Sequence, residues 1–370
     1  MSDSAFGGES GQEEAKDEAA DVSRTTGAAG FRYPGRGRAG PADPADPSRP
    51  SETTPIGDST VSIPLPPSFA HHAIDADGVR VNTYVSGDGP PVLLLHGYPQ
   101  THLIWHRVAP VLAREHTVVL TDLRGYGDSD KPPSAPDHGP YSKRVMAHDQ
   151  LLVMRSLGFD RFAVAGHDRG ARVGHRLTLD EPRAVTRLAV LDIVPTRHAF
   201  RHADAAFALG YYHWFFLAAG DGVPERMIGA DPGYWIRAHM KVQHGGTPFD
   251  PAAQDEYVRC FSDPAAVHAS CEDYRAAASV DLRHDDADAD AGRRVTCPVL
   301  ALWGERGFVG RNYDVLDVWQ RYADDVRGQA VPSGHYIPEE VPEMTAELLG
   351  SFLSGSPVTT RQRSSPLDQT

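Results

Sequence analysis

The run Gly166-His167-Asp168-Arg169-Gly170 sets a carboxylate between two glycines, the G-x-nucleophile-x-G spacing of a sharp strand-to-helix turn. With aspartate in the place of serine, the chemistry changes. A carboxylate attacks saturated carbon and leaves an ester, so the reactions within reach are displacement of a halide and opening of an epoxide. Acyl transfer by a hydroxyl is excluded. Arg169 follows directly and Arg172 lies one helical turn on. Two guanidinium groups beside the nucleophile point to a small anionic substrate.

Chain order supplies the partners. His335, in Pro332-Ser333-Gly334-His335-Tyr336, follows the last strand-like run and is the best placed of 18 histidines to act as general base. A histidine in a glycine-containing loop is more often an ordinary surface residue; the order nucleophile, acid, histidine singles this one out. Asp192, in Leu191-Asp192-Ile193-Val194-Pro195, is the expected orienting acid, with Glu305, just past Trp303-Gly304, as runner-up. The backbone N–H groups of Tyr98, in His96-Gly97-Tyr98-Pro99, and of Arg169 form the expected oxyanion hole. The plain alternatives are that Asp168 caps a helix and that the arginines are its ion-pair partners. Capping alone calls for neither the flanking glycines nor the buried strand before them.

These residues need a scaffold, and the hydrophobic pattern provides one. Val79–Val85 alternates as an early strand, preceded by Ala73-Ile74-Asp75 and a turn at Asp77-Gly78. Short apolar runs follow at 91–97, 117–122, 162–166, 187–192 and 298–304, with a weak one at 329–332, each reading as a buried parallel strand. Helical patterns such as His148–Leu157 and Val315–Tyr322 fill the gaps. The expected fold is α/β, a mostly parallel sheet with helices on both faces. Residues 70–194 and 294–355 form its core. Residues 195–293 lack strand alternation and are too long for a loop, so they are expected to be an inserted helical cap over the carboxyl ends of the strands. Residues 1–60, with Pro-Ala-Asp-Pro-Ala-Asp-Pro at 41–47, and the tail 356–370 have the composition of disordered extensions.

The net charge of -14 argues against nucleic acid and anionic membrane as partners, so an anionic substrate needs a local positive site. Cys260, Cys271 and Cys297 are odd in number and unpaired by spacing, which fits a reducing cytoplasm. No run approaches the ~18 apolar residues of a membrane span, and the N-terminus lacks a signal pattern. No metal, nucleotide or flavin motif is found, so no cofactor is expected. The expected partner is a small anionic organic molecule; a homodimer is compatible with the chain.

The motifs His96-Gly97-Tyr98-Pro99-Gln100, Asp122-Leu123-Arg124-Gly125-Tyr126-Gly127 and the aspartate elbow resemble the α/β-hydrolase fold. The finer resemblance is to haloacetate (fluoroacetate) dehalogenases. It rests on Gly166-His167-Asp168-Arg169-Gly170-x-Arg172, Leu191-Asp192-Ile193-x-Pro195, Tyr212-His213-Trp214-x-Phe216, Ile228-Gly229-Ala230-Asp231-Pro232 and Asp273-Tyr274-Arg275-Ala276, and it runs from about residue 70 to 355. It implies that Asp168 attacks the α-carbon of a 2-halo acid and that His335, oriented by Asp192, activates water against the resulting ester. Arg169 and Arg172 match the pair that clamps the substrate carboxylate, and His213, Trp214 and Tyr274 match the halide pocket. Singly, the aromatic run 211–216 reads as packing for the cap core. One departure is the stretch Ala238-His239-Met240-Lys241-Val242-Gln243, polar where relatives carry an aromatic residue near the substrate. The rival readings are an epoxide hydrolase, with Tyr274 and Tyr212 as the tyrosine pair, and a non-catalytic small-acid receptor.

Overall fold

Short β-branched and aliphatic runs bounded by turn residues form eight strands in the structure, a computed structural model that describes residues 65–243, 245–247 and 249–355. They are β1 (Ala70–Ala76), β2 (Val79–Ser86), β3 (Pro91–Leu95), β4 (Thr117–Thr121), β5 (Phe162–His167), β6 (Val185–Leu191), β7 (Val299–Gly304) and β8 (Val326–Val331). They make one sheet in the order β1-β2-β4-β3-β5-β6-β7-β8. β1 pairs antiparallel with β2 and β2 antiparallel with β4; every later pairing is parallel. Asp77 and Gly78, both with positive φ (56° and 84°), make the tight hairpin turn that their sequence signals. The extensions expected at 1–60 and 356–370 lie outside the described residues.

The two-residue period of the strands divides the core. Leu93 and Leu95 of β3, Val164 of β5, Val190 of β6 and Ala301 of β7 face one cluster; Val92, Leu94, Ala165, Ala189, Leu191 and Leu302 face the other. The first face is covered by the helices Lys143–Ser156 and Asp168–Asp180, the second by Trp105, Ala109 and the C-terminal helix Pro342–Leu353 through Leu349 and Phe352. Each fully buried valine, leucine or phenylalanine among them contributes roughly 1.5–3 kcal/mol.

Between β6 and β7 the chain forms helices alone among the described residues: Thr196–Arg201, Ala205–Gly210, Tyr212–Leu217, Val223–Gly229, Pro232–Gln243, Pro251–Phe261, Pro264–Ala277 and Val280–Asp290. Asp204, Asp250 and Asp263 cap three of them through side-chain bonds to the first-turn N–H groups. Phe207, Trp214, Met240, Tyr257 and Phe261 from this segment join the cluster on the elbow-helix side of the sheet. The three cysteines are all unpaired. No helix among the described residues is long and apolar enough to cross a membrane.

Candidate active site

β5 ends at His167 and the next helix begins at Asp168, whose φ of 44° marks the strained turn between them. The flanking glycines make that turn possible. A Cβ on Gly166 would lie 2.5 Å from Ala171 N, and one on Gly170 2.3 Å from His96 O. Strand, turn and helix are therefore packed too closely for any side chain but the one that points outward.

Asp168 is buried, and its Oδ2 accepts the Tyr98 N–H at 3.1 Å. Arg169 N–H belongs to the first helical turn, where backbone donors have no partner within the helix. Burial alone would raise the Asp168 pKa, but His335, Arg172, His167 and Arg169 outweigh it and hold the carboxyl below the usual range. The group is an anion at neutral pH, as a nucleophile must be.

His335 Nδ1 lies 2.6 Å from Asp192 Oδ2, and the other oxygen of Asp192 accepts Gly304 N–H at 3.0 Å. Asp192 is fully buried at the end of β6, also with positive φ (53°). Glu305, the alternative acid, has a side chain 45% exposed and makes no contact with His335. Burial would lower the His335 pKa, but the hydrogen bond and charge of Asp192, then the charges of Asp168 and Glu340, raise it above its ordinary value.

The arginines are arranged differently from a free two-armed clamp. Arg169 is spent on Asp273: Nε and Nη2 reach its carboxylate at 2.9 and 2.6 Å, and Nη2 also reaches its carbonyl oxygen at 2.8 Å. Arg172 Nη1 donates to Val194 O at 2.9 Å and Thr196 Oγ1 at 3.1 Å. Among the fully buried atoms, Nη1 of Arg169 and Nε of Arg172 stay unpartnered. Each buried guanidinium is thus anchored by a counter-ion or by carbonyl and hydroxyl oxygens, and a carboxylate clamp would rest on the N–H groups left over. Neither forms an ion pair with Asp168.

Each arginine backs an aromatic ring. Arg169 Cζ lies 4.2 Å from the Tyr274 ring centroid and Arg172 Cζ 4.6 Å from that of Trp214. Tyr274, Trp214 and His213 are all buried. They line a cavity with Asp168, His335 and Tyr98. The Tyr274 hydroxyl and His213 Nδ1 have no hydrogen-bond partner in the protein. His213 is held far below the ordinary imidazole pKa by burial, then by His239, His335 and the two arginines, so it is a neutral ring with one N–H to offer. The space open to the centre of a water molecule is about 10 Å³, roughly one water's worth.

Three lining residues escape sequence reasoning: Tyr211, His239 and Gln243. The last two belong to the stretch 238–243 noted for its polarity, so that departure does reach the site. Tyr212, named for the epoxide reading, is 46% exposed and does not line this cavity; the place is taken by Tyr211, the residue between the helices Ala205–Gly210 and Tyr212–Leu217. Asp273 was visible only as a motif letter, its partner Arg169 being 104 residues away.

The model of the alpha/beta hydrolase fold matches residues 90–342. The chain belongs to that family, as a haloacetate dehalogenase-like member. A fluoroacetate dehalogenase from Burkholderia sp is 45% identical over 288 residues, covering 77% of this chain and 94% of the relative. A soluble epoxide hydrolase from Corynebacterium sp. (strain C12) is 33% identical over 295 residues, covering 77% and 98%. The solved structure of an alpha/beta hydrolase from Nostoc sp PCC 7120 superposes with a TM-score of 0.75 at 53% identity, covering 77% and 98%.

Proposed function

We propose that this protein is a hydrolytic dehalogenase of small 2-halo acids such as fluoroacetate and chloroacetate. The observation that carries the reading is the buried, ionised Asp168 sharing a cavity with the unpartnered Tyr274 hydroxyl and His213 ring, with Arg169 stacked on Tyr274 and Arg172 on Trp214. In the first step an Asp168 oxygen bonds to C2 of the acid while the carbon–halogen bond breaks and the halide leaves with the electron pair. Tyr274 O–H, Trp214 N–H and His213 N–H replace water around the halide, which matters most for small, strongly hydrated fluoride. The free guanidinium N–H groups of Arg169 and Arg172 steady the substrate carboxylate.

Alkylation removes the negative charge of Asp168, one of the groups that raise the His335 pKa, so the imidazole becomes the free base when it is needed. His335 then takes a proton from water, and the hydroxide adds to the ester carbonyl carbon. The resulting oxyanion is held by the N–H groups of Tyr98 and Arg169. Collapse returns the Asp168 carboxylate and releases the 2-hydroxy acid, so halo acid and water become hydroxy acid, halide and a proton. The helices between β6 and β7 act as the cap that excludes bulk water, and the tightness of the cavity favours the smallest 2-halo acids.

A second reading is epoxide opening, favoured by Tyr211 and Tyr274 standing together in the cavity and by the epoxide hydrolase relative. Buried guanidinium groups count against it, because a neutral epoxide gives them no counter-ion. The test is a panel of fluoro-, chloro- and bromoacetate plus styrene oxide, with halide and diol as readouts. Halide release from the acids, abolished in Asp168→Ala, is the expected result; diol formation without halide release would replace this reading with the second.

A further inference from the structure

We propose that Glu340 is a positioning residue for His335, holding the backbone on both sides of the base and pinning that loop to the segment after the helix Pro232–Gln243. The carboxylate is buried and accepts Gly334 N–H at 2.9 Å, Tyr336 N–H at 3.1 Å and Gly245 N–H at 2.6 Å. The first two flank His335. The third comes from the segment just after the helix that carries His239 and Gln243. Gln243 O in turn accepts the His335 N–H at 3.0 Å, and Arg306 Nε donates to Gly245 O at 3.1 Å. A Cβ on Gly245 would stand 2.3 Å from Gly334 N and 2.5 Å from the Glu340 oxygen, so the two segments meet backbone to backbone.

Three N–H bonds to one carboxylate are charge-assisted and directional. They are placed where Gly334 would otherwise leave the loop free to swing. Glu339, the neighbouring acid, does a different job: its carboxylate accepts from Tyr257 O–H and Gln100 rather than from the N–H groups beside His335. The groups facing His335 are the carboxylates of Asp192, Asp168 and Glu340, the ring of His167 at 4.5 Å, and the imidazoles of His213 and His239, whose pKa values burial holds down. Glu340 therefore contributes charge as well as geometry.

This rests on the dehalogenase reading, and it splits that reaction in two. Alkylation uses Asp168, which the elbow fixes; ester hydrolysis uses His335, which the Glu340 loop fixes. The experiment is rapid-quench analysis of the full-length enzyme with chloroacetate, following halide release and the mass of the elbow peptide. Glu340→Gln keeps the side-chain volume but loses one acceptor and the charge. It is expected to alkylate at the wild-type rate and hydrolyse the ester roughly 10²-fold more slowly, the penalty of an ångström-scale misplacement. Esterified Asp168 accumulates, kcat and KM fall together, and the acid limb of the hydrolysis step moves to lower pH. Gly245→Ala attacks the same junction from the other side and is expected to give the same accumulation. It decides the matter if Glu340→Gln does not fold. Either variant hydrolysing the ester at the wild-type rate, or slowing both steps equally, overturns the role of Glu340. A wild-type enzyme that releases no halide overturns the functional reading itself.

Discussion

Replacing Asp273 by Asn tests how the elbow is bound to the helices above it. The side chains of Arg169 and Asp273 are both 0% exposed and meet at 2.6 Å; Tyr126 O–H donates to the same carboxylate at 2.8 Å, and Lys143 pairs with it too. Asn keeps the shape and can accept one or two of these bonds, but it leaves a buried guanidinium without a counter-ion and turns an NH2 toward a cation. Lys143 retains a second acid, Asp281, at 3.7 Å; Arg169 has none. Removing one partner of a buried pair costs roughly 3–5 kcal/mol. At roughly 2 °C per kcal/mol for a domain of this size, the melting temperature should fall by about 6–10 °C. Urea unfolding should give a lower midpoint with unchanged slope.

The pH dependence of that loss has a definite sign. Burial would raise the Asp273 pKa, but Arg169 and Lys143 outweigh it and hold the carboxyl well below the usual range. A depressed folded-state pKa gives stabilisation that is complete above the unfolded value, about 3.9, and is lost as pH falls through the folded one. The gap between wild type and Asp273→Asn should therefore be flat from pH 6 to 8 and shrink below about pH 4. A loss under about 1 kcal/mol at pH 7, against the buried-pair magnitude, or a gap that widens in acid, would refute the reasoning.

Tyr274→Phe removes a buried, unpartnered hydroxyl from the cavity. It is expected to lower fluoride release by roughly 10²-fold and bromide release far less, as measured by ion-selective electrode, because fluoride depends most on replacement of its hydration. Asp192→Asn should slow turnover by roughly 10⁴-fold by loosening the base and its tautomer, whereas Glu305→Gln, on an exposed side chain, should leave kcat unchanged. Equal effects of the two would reinstate Glu305 as a candidate.

Much of this arrangement is local and therefore legible. Strands β3 to β7 announce themselves as short, largely apolar runs because both faces of a parallel sheet are covered, and Gly166 and Gly170 mark the elbow because the turn has no room for side chains. β8 is faint, since Val326–Val331 is mostly half-buried at the sheet edge. What the chain hides is long-range pairing. Asp273 satisfies Arg169 across 104 residues, and no pattern near either residue says so. Tyr211 rather than Tyr212 lines the cavity because it sits at the junction of the short helices Ala205–Gly210 and Tyr212–Leu217, a one-residue matter that periodicity leaves open. The resemblance to haloacetate dehalogenases names two arginines but carries no information on which of their N–H groups are already taken.

The central claim is that water attacks an Asp168 ester rather than the halo acid itself. A single turnover with enzyme in excess over chloroacetate, run in water enriched in oxygen-18, separates the two. If the ester forms, the heavy oxygen enters the Asp168 carboxylate, the elbow peptide gains the mass of one label, and the first glycolate released carries none. Label in that first glycolate, with an unlabelled elbow peptide, would contradict the account.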